Sequence, residues 1–177
     1  MGKRLEILAQ ALPTARRVAY LANPTNLNTP ENRHDVEAVA RAIGVKLVAF
    51  EVSAPERIEN VVASVAKARP GALVTASDPL FWAVQQRLID AVARIPTMWE
   101  ARPWVEAGGL MAYGAHGGQF YRRAATYVDK ILKGAMPADL PIEQAMKFEF
   151  VINLKTAKAL RLTIPQTLLL RADQVIE

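Results

Sequence analysis

The chain has no cysteine and only two histidines among its 177 residues. Without a thiol there is no disulfide, no thiolate nucleophile and no zinc–cysteine site. No apolar run approaches the roughly 18 residues that a spanning helix needs. The N-terminus, Met1-Gly2-Lys3-Arg4, opens with basic residues but meets Glu6 and Gln10 too soon for the apolar region of a secretory signal. No export signal is therefore expected in this chain, and the segment reads as a short amphipathic helix with Leu5, Ile7, Leu8 and Leu12 facing inward, stopped by Pro13. Runs of like charge are also missing. The net charge is +5, yet the cations are scattered singly, with Arg16-Arg17 and Arg122-Arg123 the densest pairs. A mildly basic surface, and no nucleic-acid partner, is the expectation.

Several catalytic and phosphate-binding signatures are absent too. There is no G-x-G-x-x-G after the first strand and no G-x-x-x-x-G-K-[ST] anywhere. The loop Gly114-Ala115-His116-Gly117-Gly118 offers backbone amides but is generic. A phosphorylatable receiver domain would place an acidic pair after strand one and a lysine after strand five. Here Asn23-Pro24 and the residues after Tyr113 supply neither, so its magnesium site cannot form. A Ser-His-Asp hydrolase lacks its G-x-S-x-G turn, and Asp78 and Glu100 stand alone rather than as an acid–base pair. No catalytic residue, metal site or cofactor is expected, and the chain is not expected to be an enzyme.

What is present is a repeated grammar. With 51% apolar residues the chain can bury a real core. Short apolar runs end in polar clusters: 17–23 before Pro24-Thr25-Asn26, 72–76 before Ser77-Asp78-Pro79, then 95–100 and 109–114. Helical patterns lie between them. Thr29-Pro30-Glu31 reads as a capped helix start, Ser53-Ala54-Pro55-Glu56 as a capping box, and Pro79 to Arg94 as one helix. Strands are expected at 17–23, 46–52, 72–76, 97–99 and 110–113. Strand, polar loop, helix, repeated, predicts an α/β fold: a three-layer open parallel sheet with Rossmann-like, flavodoxin-like architecture. Beyond it, 119–134 is the strongest helical pattern, 135–144 an extended crossing segment, 147–154 a half-exposed edge strand by its alternation, and 163–177 a short helix and tail.

Ligands of such sheets sit at the carboxyl ends of the strands. The polar residues there are Asn23, Thr25 and Asn26 after strand one, Ser77 and Asp78 after strand three, Trp99 and Glu100 after strand four, and Tyr113 and His116 after strand five. Neutral donors, carboxylates and aromatic faces suit a small ammonium-bearing or aromatic metabolite. Individually each has a plainer role: Asp78 before Pro79 is a good helix cap, and Trp99 and Tyr113 can be core residues.

The succession Arg-Val-Ala-Tyr-Leu-Ala-Asn-Pro (17–24), Asp-Pro-Leu-Phe (78–81), Glu-Ala-Gly-Gly-Leu-Met-Ala-Tyr-Gly (106–114) and Arg-Arg-Ala-Ala-Thr-Tyr-Val-Asp-Lys-Ile-Leu-Lys-Gly (122–134), with the tail from Lys147 to Gln166, resembles the ABC-transporter substrate-binding proteins of the TrpX-like family. The resemblance implies a type I periplasmic binding protein whose two α/β lobes close on a small-molecule ligand, with an ABC permease as partner in the intact protein. It implies a periplasmic or membrane-anchored extracytoplasmic location. It also implies that this chain is the second lobe, 1–115 and 145–177, with 116–144 belonging to or packing on a first lobe. Left alone, the helix 119–134 would expose Phe120, Tyr127, Val128 and Ile131, more apolar surface than a monomer usually shows, so a homodimer through that face is expected. An effector-sensing domain of the same fold in a regulator, and an interaction module without ligand, remain alternatives.

Overall fold

The computed structural model of the protein describes residues 1–143 and 147–177, and for Gln119 and Phe120 only the helical backbone. Five parallel strands form where turn residues bound the apolar runs: β1 (Arg17–Ala22), β2 (Lys46–Glu51), β3 (Ala72–Thr75), β4 (Thr97–Trp99) and β5 (Met111–Ala115). They stand in the order β2-β1-β3-β4-β5. β6 (Phe148–Asn153) then pairs antiparallel with β5, and β7 (Gln174–Ile176) parallel with β6. β3 and β4 are buried throughout and β1 from its second residue on, as strands covered on both faces must be.

Period-two alternation sends the side chains of each strand to two cores. Val18, Tyr20, Val74 and Met98 meet α1 (Gly2–Ala11), α2 (Thr29–Ala42), α8 (Leu154–Ala159) and α9 (Gln166–Leu169) through Leu5, Leu8, Val36, Ala157 and Leu168. Ala19, Leu21, Leu73 and Trp99 meet α3 (Ile58–Ala68), α4 (Pro79–Ala83), α5 (Gln85–Ala91) and α6 (Arg102–Glu106) through Ile58, Val62, Phe81, Leu88 and Trp104. Helix, sheet and helix make the expected three layers. Because β1 is flanked by β2 on one side and β3 on the other, the chain leaves these neighbouring strands toward opposite faces. In open α/β sheets such a divergence is where ligands bind, outside the carboxyl ends of the strands.

The structure corrects the sequence reading at several elements. Segment 147–154 is not an edge strand: β6 is paired on both sides, and four of its six residues are buried rather than alternating. The tail contributes β7 as well as a helix. The helix expected over 79–94 breaks at Val84, whose backbone (φ −125°, ψ 25°) leaves the helical region. Thr29 does not cap α2. Asn28 takes the cap position, and the Thr29 hydroxyl donates to the Asn23 carbonyl at 2.6 Å instead. Ser53 forms no capping box; a 3-10 turn at Pro55–Arg57, with Ala54 at its cap and no side-chain hydrogen bond, precedes α3.

α7 (Gly117–Leu132) leaves the sheet at the end of β5, and the chain returns through a 3-10 turn at Pro137–Asp139. The two ends of this excursion meet where the His116 amide donates to the Lys147 carbonyl at 3.1 Å. The arm is held to itself: the Tyr127 hydroxyl donates to the Pro141 carbonyl at 2.6 Å, and Arg123 pairs with Glu143 and lies over the Tyr127 ring. Tyr121, Val128, Ile131 and Leu132 are exposed. The Phe120 side chain, expected on the same face, lies outside the described residues. No described helix is long and apolar enough to cross a membrane.

Candidate ligand-binding site

At the carboxyl ends of β1 and β3 the structure brings Asn23, Thr25, Asn26 and Asp78 into one hydrogen-bonded cluster. Asp78 Oδ1 accepts from the Leu80 amide at 2.8 Å, so the capping role is real, and also from Asn23 Nδ2 at 3.3 Å. Asp78 Oδ2 accepts from Asn26 Nδ2 at 2.7 Å. Asn23 Oδ1 in turn accepts from the Thr25 amide and hydroxyl at 3.0 and 2.8 Å. The cluster staples the loop after β1 to the loop after β3 and leaves Asn23 and Asp78 buried. Thr25 and Ser77 are exposed at its mouth, with Leu27 almost fully so.

The residues after β4 divide differently. Trp99 is fully buried: its ring stacks on Trp104 at 4.3 Å and 2°, and its Nε1 donates to Thr97 Oγ1 at 2.8 Å. It belongs to the core, a correction with a simple cause, since as the last residue of β4 it points into the sheet's packed face. Gly109 makes room for it; a Cβ there would fall 2.5 Å from the indole nitrogen. Glu100, the next residue, lies at the strand end. Its Oε1 accepts from Trp104 Nε1 at 3.0 Å, while Oε2 is buried without a hydrogen-bond partner among the described residues. Burial pushes the carboxyl pKa up, against the pull of its backbone hydrogen bond, the Arg4 charge and the Trp104 and Trp82 side chains.

Tyr113 and His116 stand apart from the Asn23–Asp78 cluster. The Tyr113 ring is half-buried and stacks on Phe148 at 5.5 Å, with Phe150 edge-on at 6.5 Å. His116 is the cap residue of α7. Among the described residues no hydrogen bond joins either side chain to the cluster.

Two further residues belong to this end of the sheet. Arg4, from α1, donates through Nε to the Tyr113 carbonyl at 2.8 Å and through Nη1 to the Thr75 carbonyl at 3.4 Å, bridging the ends of β3 and β5 across β4. Burial lowers its pKa and the Glu100 charge raises it. Its signal in the sequence is its place on the stripe of Leu8 and Ala11, the buried face of α1. Trp82, exposed on α4, meets Trp104 at 5.0 Å. Among the described residues no group of three or more His, Asp or Glu side chains could hold a metal ion.

Comparison with known proteins agrees with this architecture. The family model described as ABC transporter substrate binding protein matches residues 1–176. A conserved domain protein from Vibrio cholerae has a similar structure at 24% identity and a TM-score of 0.90, over 98% of this chain and 59% of that one. The ABC domain in complex with L-Trp from Streptococcus pneumonia has a similar structure at 24% identity and a TM-score of 0.89, over 99% of this chain and 61% of that one. So has the ligand-free, open structure of a substrate binding protein with adhesive properties from Clostridium difficile, at 20% identity and a TM-score of 0.69, over 98% and 59%. The chain thus spans about three-fifths of the length of these solved structures. No curated protein matches it.

Proposed function

Because the chain belongs to the ABC transporter substrate binding protein family, we propose that it is the ligand-binding portion of the solute-binding component of an ABC import system. The observation that carries the reading is the polar cluster of Asn23, Thr25, Asn26 and Asp78, set where β1 and β3 part on a sheet of this family's fold. In sheets of this kind small molecules bind at that point, and the cluster would form the floor of such a site. Exposed Thr25 and Ser77 offer hydroxyls there, and the same end of the sheet carries a carboxylate, Glu100 after β4, and an aromatic ring, Trp82 on α4. An amino acid or an aromatic compound suits this set, and the L-Trp in the Streptococcus pneumonia structure is in keeping with it.

In this reading the protein acts outside the cytoplasm, delivers its solute to a permease and catalyses nothing. Residues 1–115 and 145–177 make the binding lobe, with 116–144 as an arm that packs on another body. The apolar residues exposed on α7 support a second copy of the chain as that body, joined through an isologous contact. Native mass spectrometry of the purified chain tests the function. A retained small mass, displaced by an added amino acid or aromatic acid, is the expected result. A chain that carries nothing and retains none of an added panel overturns it.

A further inference from the structure

Two carboxylates stand at the carboxyl ends of the inner strands, and their surroundings differ. Asp78 has both oxygens occupied, by the Leu80 amide, Asn23 and Asn26. Glu100 is only 7% exposed, and its Oε2 has no hydrogen bond of good geometry among the described residues, with the Trp82 side chain the donor beside it. A carboxylate withdrawn from water with an open acceptor is costly until something positive or hydrogen-donating reaches it. Arg4 does not fill that acceptor: its Nε and Nη1 serve the Tyr113 and Thr75 carbonyls, no ion pair joins it to Glu100 among the described residues, and its charge acts through space.

A chain of three indoles leads from the core to this carboxylate. Trp99 stacks on Trp104, and Trp104 meets Trp82 at 5.0 Å and 55°. Trp99 and Trp104 are fully buried, whereas Trp82 is 38% exposed. The aromatic chain reaches solvent at one ring, beside the carboxylate with the open oxygen.

Resting on the solute-binding reading above, we infer that Glu100 and Trp82 form the subsite for a cationic group on the ligand, an ammonium or a similar organic cation. The carboxylate supplies a charge-assisted hydrogen bond and the indole face a cation–π attraction. A rotamer change at Glu100 or Trp82 brings Oε2 to the cation. Asp78, with both oxygens engaged, shapes the crevice but does not read the charge. Of the two carboxylates at the strand ends, one is spent on the fold and the other is kept for the ligand.

The test is isothermal titration of the whole chain with compounds matched in ring and length but opposite in charge: tryptamine against indole-3-propionate, and phenethylamine against 3-phenylpropionate. The amines are expected to bind more tightly than their partners. Glu100→Gln should weaken amine binding by about 10- to 100-fold, the value of a charged hydrogen bond, and leave the carboxylates unchanged. Trp82→Leu should weaken amine binding by about 2- to 30-fold. Amine affinity should also fall on acidification in the wild type, as a proton competes for Glu100, and stay level in Glu100→Gln. Amines that bind Glu100→Gln as well as wild type, or that fail to bind at all, overturn the cationic subsite. The solute-binding reading falls only if the native mass spectrum shows no small molecule as well.

Discussion

Gly114 in β5 lies so close to Glu100 that a Cβ on it would fall 1.8 Å from the Glu100 carbonyl oxygen. The obstruction is backbone, so no side-chain rotamer relieves it. Gly114→Ala must push β5 away from the end of β4, where Glu100 lies. It is expected to cost about 1–3 kcal/mol or more, the range of overpacking in a tight interior. Urea denaturation should show a lowered midpoint with an unchanged slope, and an unchanged midpoint would show that the two strands part freely.

Asp78 links a helix cap to two asparagines, so its substitutions should grade by what they keep. Asp78→Ala removes the acceptor of the Leu80 amide and leaves Asn23 and Asn26 without theirs. A cap and a charged acceptor together predict a loss of about 2–4 kcal/mol. Asp78→Asn keeps one carbonyl oxygen for Leu80 but sets an amide against the Asn26 amide, so it should fall between wild type and alanine. Equal losses in the two variants would contradict the double role.

The Tyr20 hydroxyl is buried in the β1 face of the core with no partner among the described residues. Tyr20→Phe keeps the ring and removes the orphan, so it should be neutral or stabilise the protein by about 1 kcal/mol. Burial also lifts the phenol pKa to about 12. From about pH 10 up to that value the folded chain holds a proton that the unfolded chain has released, so stability falls as pH rises. The phenylalanine variant should lose this part of the alkaline slope in thermal melts between about pH 9 and pH 12.

Glu100 carries a similar imbalance at lower pH. Burial places its carboxyl above the ordinary 4.5 in the folded state. As pH rises through the window between the unfolded and folded values, the unfolded chain ionises first and wild-type stability falls. Glu100→Gln has no such proton. Its stability relative to wild type should improve from about pH 4 upward and level off once the folded carboxyl is ionised. Denaturation at a series of pH values gives the difference directly, and a flat difference would mean that Arg4 and the indoles offset the burial in full.

The inner strands were legible because their burial leaves nothing else for 17–23 or 72–76 to be: apolar runs too short for helices, closed by Pro, Asn and Asp. β7 was not, since Gln174–Ile176 is three half-buried residues held by pairing with β6 rather than by any pattern of its own. The break at Val84 was hidden because Leu80, Phe81, Val84 and Leu88 keep helical spacing straight through it. The meeting of Asn23, Asn26 and Asp78 could be read because each follows a buried run, and the runs of β1 and β3 end side by side. Arg4 reaches a carbonyl 109 positions away, a contact that only the tertiary fold creates. Trp99, expected as a ligand contact, lies in the core for the same reason: nearness to a strand end in sequence does not say on which side of the sheet a ring will lie.

The arm makes the last prediction. On α7, Tyr127 turns toward Pro141, while Tyr121, Val128 and Leu132 remain exposed, and Ile142 on the returning segment is fully so. If a second copy covers this surface, the wild-type chain should sediment as a concentration-dependent dimer. Val128→Glu with Leu132→Glu should then shift it to monomer. Both side chains are exposed in the single chain, so the folded monomer should lose no more than about 0.5 kcal/mol per substitution, and its circular dichroism should not change. Four buried glutamates in a symmetric contact, two from each copy, would by contrast be unpaired charges in an apolar interface, enough to abolish association. A wild-type chain that sediments as a monomer at every concentration would exclude the second copy.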